Sequence, residues 1–133
     1  MEQYKEINVQ PSKETIPEIA GFVEQTLEEL ECPMKIQTTM LIVTDEIFSN
    51  LVYYSQATEV TVKVGMETGV YSITFTDNGI PYNPLEAKTP DITLSAEERS
   101  IGGLGMHIVK KMADEVTYQY EDAKNILNVK KHI

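Results

Sequence analysis

Residues 33–54 constrain the fold more than any other stretch of this chain. Pro33 opens a run in which Ile36, Met40, Leu41, Val43, Ile47, Phe48, Leu51 and Val52 recur at helical spacing. Those positions cover much of a helix circumference, so this helix must be more buried than an ordinary surface helix. Polar residues inside it, Glu46 and Asn50 above all, therefore need a reason.

The neighbouring segments supply the rest of an α+β chain. Residues 4–9 alternate and read as a strand. Residues 16–30 read as an amphipathic helix with a buried stripe of Ile16, Ile19, Ala20, Val23, Leu27 and Leu30. Thr15, Pro17 and Glu18 fit an N-cap, an early proline and the acid of a capping box. Residues 59–66 and 70–76 are rich in β-branched and aromatic side chains at period two and form a hairpin around 67–69. Residues 79–101 hold Pro81, Pro84 and Pro90 without steady periodicity, and a loop of that length is usually functional. A third helix is expected after Gly105, with Met106, Ile108, Val109 and Met112 on its apolar side. Residues 116–120 and 126–129 read as a last hairpin with a turn at 122–125. The order β-α-α-β-β-loop-α-β-β predicts an α/β two-layer sandwich: a mostly antiparallel, mixed sheet with three helices on one face. The expected organisation is one domain over residues 1–133.

Composition narrows the function. The net charge is −10, with 21 acidic side chains against 11 basic ones. That argues against non-specific nucleic-acid binding, which needs Lys and Arg against phosphates, and against an anionic membrane surface. It leaves a nucleotide open, because backbone N–H groups and a metal ion can hold phosphates without a basic patch. Cys32 is the only cysteine and there are two histidines, His107 and His132. An internal disulfide is therefore excluded, and zinc clusters have too few ligands. No signal-like N-terminus and no apolar run of membrane-spanning length is visible, so the cytoplasm is the expected setting.

Three short constellations carry chemistry. Glu46 and Asn50 are four residues apart and share a helix face, a spacing that suits Mg²⁺, which takes hard oxygen ligands and completes its shell with water and phosphate. Asn50 is the candidate ligand. Glu46 is a candidate base, with a merely solvated helix edge as the alternative. Asp77-Asn78-Gly79 follows a strand, where Asp77 can accept a hydrogen bond from the exocyclic amine of adenine and Gly79 lets the backbone pass close to a base. Asn-Gly is also a common hairpin turn, but Pro81 and Pro84 follow where a matching strand would be needed. Gly102-Gly103-Leu104-Gly105 immediately precedes a helix, whose free N-terminal N–H groups favour an anion. It is neither a P-loop nor a good dinucleotide fingerprint, and a hinge is the alternative.

In their order along the chain, these motifs resemble those of the GHKL ATPases, which share the Bergerat ATP-binding fold. Within that class the resemblance is to the bacterial anti-sigma factor serine/threonine kinases. It rests on Glu46-Ile47-Phe48-Ser49-Asn50, on Asp77-Asn78-Gly79-Ile80-Pro81-Tyr82-Asn83-Pro84, and on Gly102-Gly103-Leu104-Gly105 leading through a helix to Asp114-Glu115-Val116. It implies ATP and Mg²⁺ as cofactors, with Asn50 as metal ligand and Glu46 as general base. Asp77 and Gly79 would hold adenine, residues 80–101 would form a lid, and Gly103 and Gly105 would wrap phosphates within a nucleotide-binding stretch that also takes in Gly102, Leu104 and Met106. Arg99 would approach the γ-phosphate or a partner, or be a plain surface charge. The implied partners are an anti-anti-sigma (STAS-type) protein and a sigma factor, and the family's frequent dimers make a homodimer an expectation. One position departs from the pattern: Tyr54 stands where such sequences commonly carry His. That favours, as the alternative function, a nucleotide-binding regulatory module without kinase activity.

Overall fold

The computed structural model describes residues 3–86 and 101–133. Its elements are β1 (Gln3–Val9), α1 (Thr15–Glu29), α2 (Met34–Tyr54), β2 (Val60–Glu67), β3 (Val70–Asp77), a single 3₁₀ turn (Pro84–Glu86), α3 (Ile101–Met112), β4 (Glu115–Glu121) and β5 (Lys124–His132). The strands form one sheet in the order β1-β2-β3-β5-β4, and all four pairings are antiparallel, so the sheet is not mixed among the described residues.

Period-two alternation divides that sheet into a dry face and a wet one. Val60, Val62 and Val64 of β2, Tyr71, Ile73 and Phe75 of β3, and Leu127 and Val129 of β5 are buried. They pack in one core with Ile19, Val23 and Leu27 of α1, Met40, Val43, Ile47 and Phe48 of α2, and Met106 and Val109 of α3. Each such aliphatic or aromatic side chain contributes roughly 1.5–3 kcal/mol on burial. The opposite face is polar, with Asn8 bonded to Thr61 at 2.7 Å and Asn128 to Thr74 at 2.7 Å. The result is the two-layer α+β sandwich expected from the pattern.

Three local features differ from the sequence reading. Thr15 does not cap α1 as expected. Ser12 Oγ accepts from the Thr15 N–H at 3.3 Å while the Ser12 N–H donates to Thr15 Oγ1 at 2.9 Å. These reciprocal bonds close a turn just ahead of α1, whose N-cap position, Glu14, makes no side-chain capping bond. The last turn is only Asp122 and Ala123, at φ 53° and 61°. Two consecutive positive φ values make a tight two-residue hairpin turn of the primed kind, so Asn125 belongs to β5 and not to the turn. Finally, α3 begins at Ile101, so Gly102, Gly103, Leu104 and Gly105 are its opening turn rather than a loop ahead of it. Apolar positions recur at helical spacing from Ile101 through Leu104 to Ile108 and Met112, so the helical register runs through the glycines. Glycine accepts helical dihedrals at a cost of about 1 kcal/mol against alanine.

Two polar anchors fix the helices, one between α1 and α2 and one between α3 and the sheet. Gln37, buried in α2, donates to Cys32 O at 2.8 Å and to Glu28 Oε2 at 3.1 Å, fixing the α1–α2 corner. Asp114, just past α3, donates its N–H to Lys130 O and accepts from the His132 N–H at 2.6 Å. The Asp-Glu-Val stretch thus holds the end of α3 to β5.

Candidate functional site

The site grows out of the β3 pattern. Tyr71, Ile73 and Phe75 face the helices, and period two puts Asp77 next in that series, buried at the strand end. An acid on a dry face needs donors. Asp77 Oδ1 receives two, the Gly79 N–H at 2.8 Å and Asn125 Nδ2 at 3.2 Å. Its Oδ2 has no partner among the described residues. Burial pushes the Asp77 carboxyl above its ordinary range, and the bonds from Gly79 and Asn125 offset part of that.

The chain then turns sharply and is fastened on three sides. Asn78 Oδ1 accepts from the Thr58 and Glu59 N–H groups at 2.9 and 3.1 Å, which joins the turn to the approach of β2. The Ile80 N–H donates to Ser55 O, at the C-terminal end of α2, at 3.0 Å. Gly79 is required there for space: a Cβ would lie 2.3 Å from Ser55 O and 2.9 Å from Asp77 Oδ1. Asn125, opposite Asp77 in the β3–β5 register, supplies the third tie.

Around these residues lies a cavity of about 310 Å³, close to the lower end of small-molecule sites at about 300–1,000 Å³. Its walls are largely apolar: Ile47 and Leu51 from α2, Phe75 and Leu127 from the sheet, Met106 from α3, and Ile80. Asn50, Asp77, Asn125, Tyr54, Tyr82 and Tyr118 add polar groups. Among the described residues the Asn50 amide has no hydrogen-bond partner. A mostly apolar cavity whose one buried carboxylate has an oxygen without a partner among the described residues fits an aromatic base bearing an exocyclic amine. The Asn50 amide at its wall, unpartnered among the described residues, has the oxygen donor that a hard cation takes.

The structure therefore gathers Asn50, Asp77 and Met106 about one cavity. Gly79 supports it by close packing against α2. Glu46 lies one turn before Asn50, half-buried and outside the cavity wall. Gly102, Gly103, Leu104 and Gly105 open α3, where the first four N–H groups lack intrahelical acceptors. Of the segment 80–101, the described part ends in the 3₁₀ turn at Pro84–Glu86, tied to α3 by Lys110 Nζ on Leu85 O at 2.8 Å. Arg99 lies outside the described residues. Sequence reasoning missed Asn125. Its signal was the alternation Asn125, Leu127, Val129, which marks it as inward-facing once β5 is started at Lys124.

This fold and site define a class. The chain belongs to the histidine kinase-like ATPase domain family, whose model matches residues 9–131, and membership implies ATP binding. Serine/threonine-protein kinase BtrW of Bordetella bronchiseptica is similar, 22% identical over 102 residues that cover 74% of this chain and 72% of that protein. The fold is also like that of the RsbU and RsbW domains of a Mycobacterium tuberculosis protein, with a TM-score of 0.71, 10% identity and coverage of 98% of this chain. This chain spans 32% of that mycobacterial chain. The SiaB–SiaC complex from Pseudomonas aeruginosa gives a TM-score of 0.65 at 14% identity, over 97% of this chain and 88% of that one. Among the described residues no helix is long and apolar enough to cross a membrane.

Proposed function

We propose that this chain is a regulatory serine/threonine protein kinase that binds Mg·ATP and phosphorylates a STAS-type anti-anti-sigma protein, thereby controlling a sigma factor. The observation that carries this reading is the meeting of Asp77 and Asn50 on one apolar cavity. Likeness to a serine/threonine-protein kinase and to one member of a two-protein complex supports the kinase and partner parts. The same reading places the chain in the cytoplasm and expects a homodimer.

In this account Asp77 Oδ2 accepts from the exocyclic amine of adenine, and the apolar walls hold the ring. The Asn50 amide oxygen holds Mg²⁺, which supplies charge neutralisation at the phosphates. The opening turn of α3, with Gly102, Gly103, Leu104 and Gly105, offers N–H groups to phosphate oxygens, and its glycines let those oxygens come close. Glu46, outside the base pocket, is free to meet a protein acceptor. It takes the proton of the Ser or Thr hydroxyl as that oxygen bonds to the γ-phosphorus and ADP leaves.

A second reading, nucleotide binding without transfer, is favoured by Tyr54, which lines the cavity one turn beyond Asn50. Labelled ATP with candidate acceptor proteins separates the two. The kinase reading expects label on a Ser or Thr, lost in Glu46→Ala at undiminished ATP affinity. Asn50→Ala should weaken Mg·ATP by about tenfold or more. Transfer at the wild-type rate by Glu46→Ala removes that residue as the base.

A further inference from the structure

Asn125 is 6% exposed and sits where three backbone segments meet. Its Nδ2 donates to Asp77 Oδ1 at 3.2 Å and to Ile80 O at 2.9 Å, with Gly79 O at 3.5 Å. Its Oδ1 accepts from the Tyr82 N–H at 3.1 Å and from the Tyr118 hydroxyl. An asparagine amide has two N–H donors and an oxygen with two lone pairs, so this side chain is fully engaged. Its orientation is also forced. The Tyr82 N–H can only donate and the Ile80 carbonyl can only accept, so Nδ2 must face Asp77.

We infer that Asn125 is the positioning residue of the base site, a single amide that orients the Asp77 carboxylate and holds residues 79–82 over the same cavity. Being saturated, it acts through its neighbours and offers the ligand no hydrogen bond of its own. With Gly79 and Asn125 both donating to Oδ1, the carboxylate is fixed about its terminal torsion and Oδ2 is presented to the cavity. Tyr82, which lines that cavity, is held by the other end of the amide. Base selectivity therefore depends on a residue of β5 behind Asp77 as much as on Asp77 itself. This inference rests on the adenine site proposed above.

The test compares the whole protein's affinity for Mg·ATP with that for the Mg²⁺ complex of purine riboside triphosphate, which lacks the exocyclic amine. Calorimetry is run on the wild type, Asp77→Asn, Asn125→Leu and Tyr118→Phe, each checked for a cooperative melt. The wild type should prefer ATP by about tenfold or more, the range of one hydrogen bond to a charged acceptor. Asn125→Leu should bring the two affinities within about threefold, mainly through weaker ATP binding. Tyr118→Phe, which removes one hold on the amide, should fall between. A purely structural role would weaken both nucleotides equally. That outcome, or an unchanged ratio in Asn125→Leu, overturns the inference. Where Asn125→Leu does not fold, an unchanged ratio in Tyr118→Phe overturns it. A ratio lost in Asp77→Asn but kept in the other two variants refutes the role of Asn125 alone. A wild type blind to the amine refutes the adenine site itself.

Discussion

Replacing Gly79 by alanine tests how the site is held together. The new Cβ would sit 2.3 Å from Ser55 O, a backbone atom that cannot swing away. Restoring van der Waals contact requires the turn and the end of α2 to part by about 1 Å. That movement breaks the Ile80 N–H bond to Ser55 O and disturbs the Gly79 N–H bond to Asp77, now 3.0 and 2.8 Å. Two weakened bonds and a buried carboxylate with fewer donors cost about 2–4 kcal/mol. For a chain of this length each kcal/mol moves the melting midpoint by roughly 4 °C, so a fall of about 8–16 °C is expected in differential scanning calorimetry. Mg·ATP affinity should fall too, since Asp77 loses its register. Gly21→Ala is the control: Gly21 lies in α1 with nothing near its Cβ position, and alanine there should stabilise by about 1 kcal/mol. A Gly79→Ala protein that melts at the wild-type temperature refutes the reasoning.

Two further substitutions separate function from stability. Asp77→Asn keeps an oxygen for the Gly79 and Asn125 N–H groups but places an NH₂ toward the cavity. The folded-state pKa of Asp77 is raised, chiefly by burial. Its contribution is therefore fully present below the unfolded-state value and lost as pH rises through the folded one. The variant's melting temperature should gain on the wild type as pH rises from about 3 to 7; a gap independent of pH would contradict the burial argument. Ala123→Gly relieves a residue held at φ 61° in the β4–β5 turn and should add about 0.5–1 kcal/mol in urea unfolding. A destabilised variant would mean that the turn does not carry that strain.

The layers of this protein were legible because their patterns are strong. α2 announced itself through apolar positions on most of its circumference, and β3 through alternation that runs on to Asp77. What escaped the sequence depends on contacts between distant segments. Asn125 looked like part of a turn because the true turn, Asp122-Ala123, has positive φ at two residues that are not glycine. The glycines at 102, 103 and 105 read as punctuation, yet the helix runs through them. The sequence suggested Gly79 for close approach by a base, and only the packed structure shows that its missing Cβ also makes room for Ser55 O. Helical spacing put Glu46 and Asn50 on one face, but only the packed structure shows the cavity reaching Asn50 and stopping short of Glu46.

Titration of the wild type and of Asp77→Asn with Mg·ATP by isothermal calorimetry tests the central claim most directly. The account predicts saturable binding at one site by the wild type, and affinity lower by about tenfold or more in a variant that keeps a cooperative melt. Equal affinity in the two proteins would contradict it, since adenine would then be held somewhere other than at Asp77.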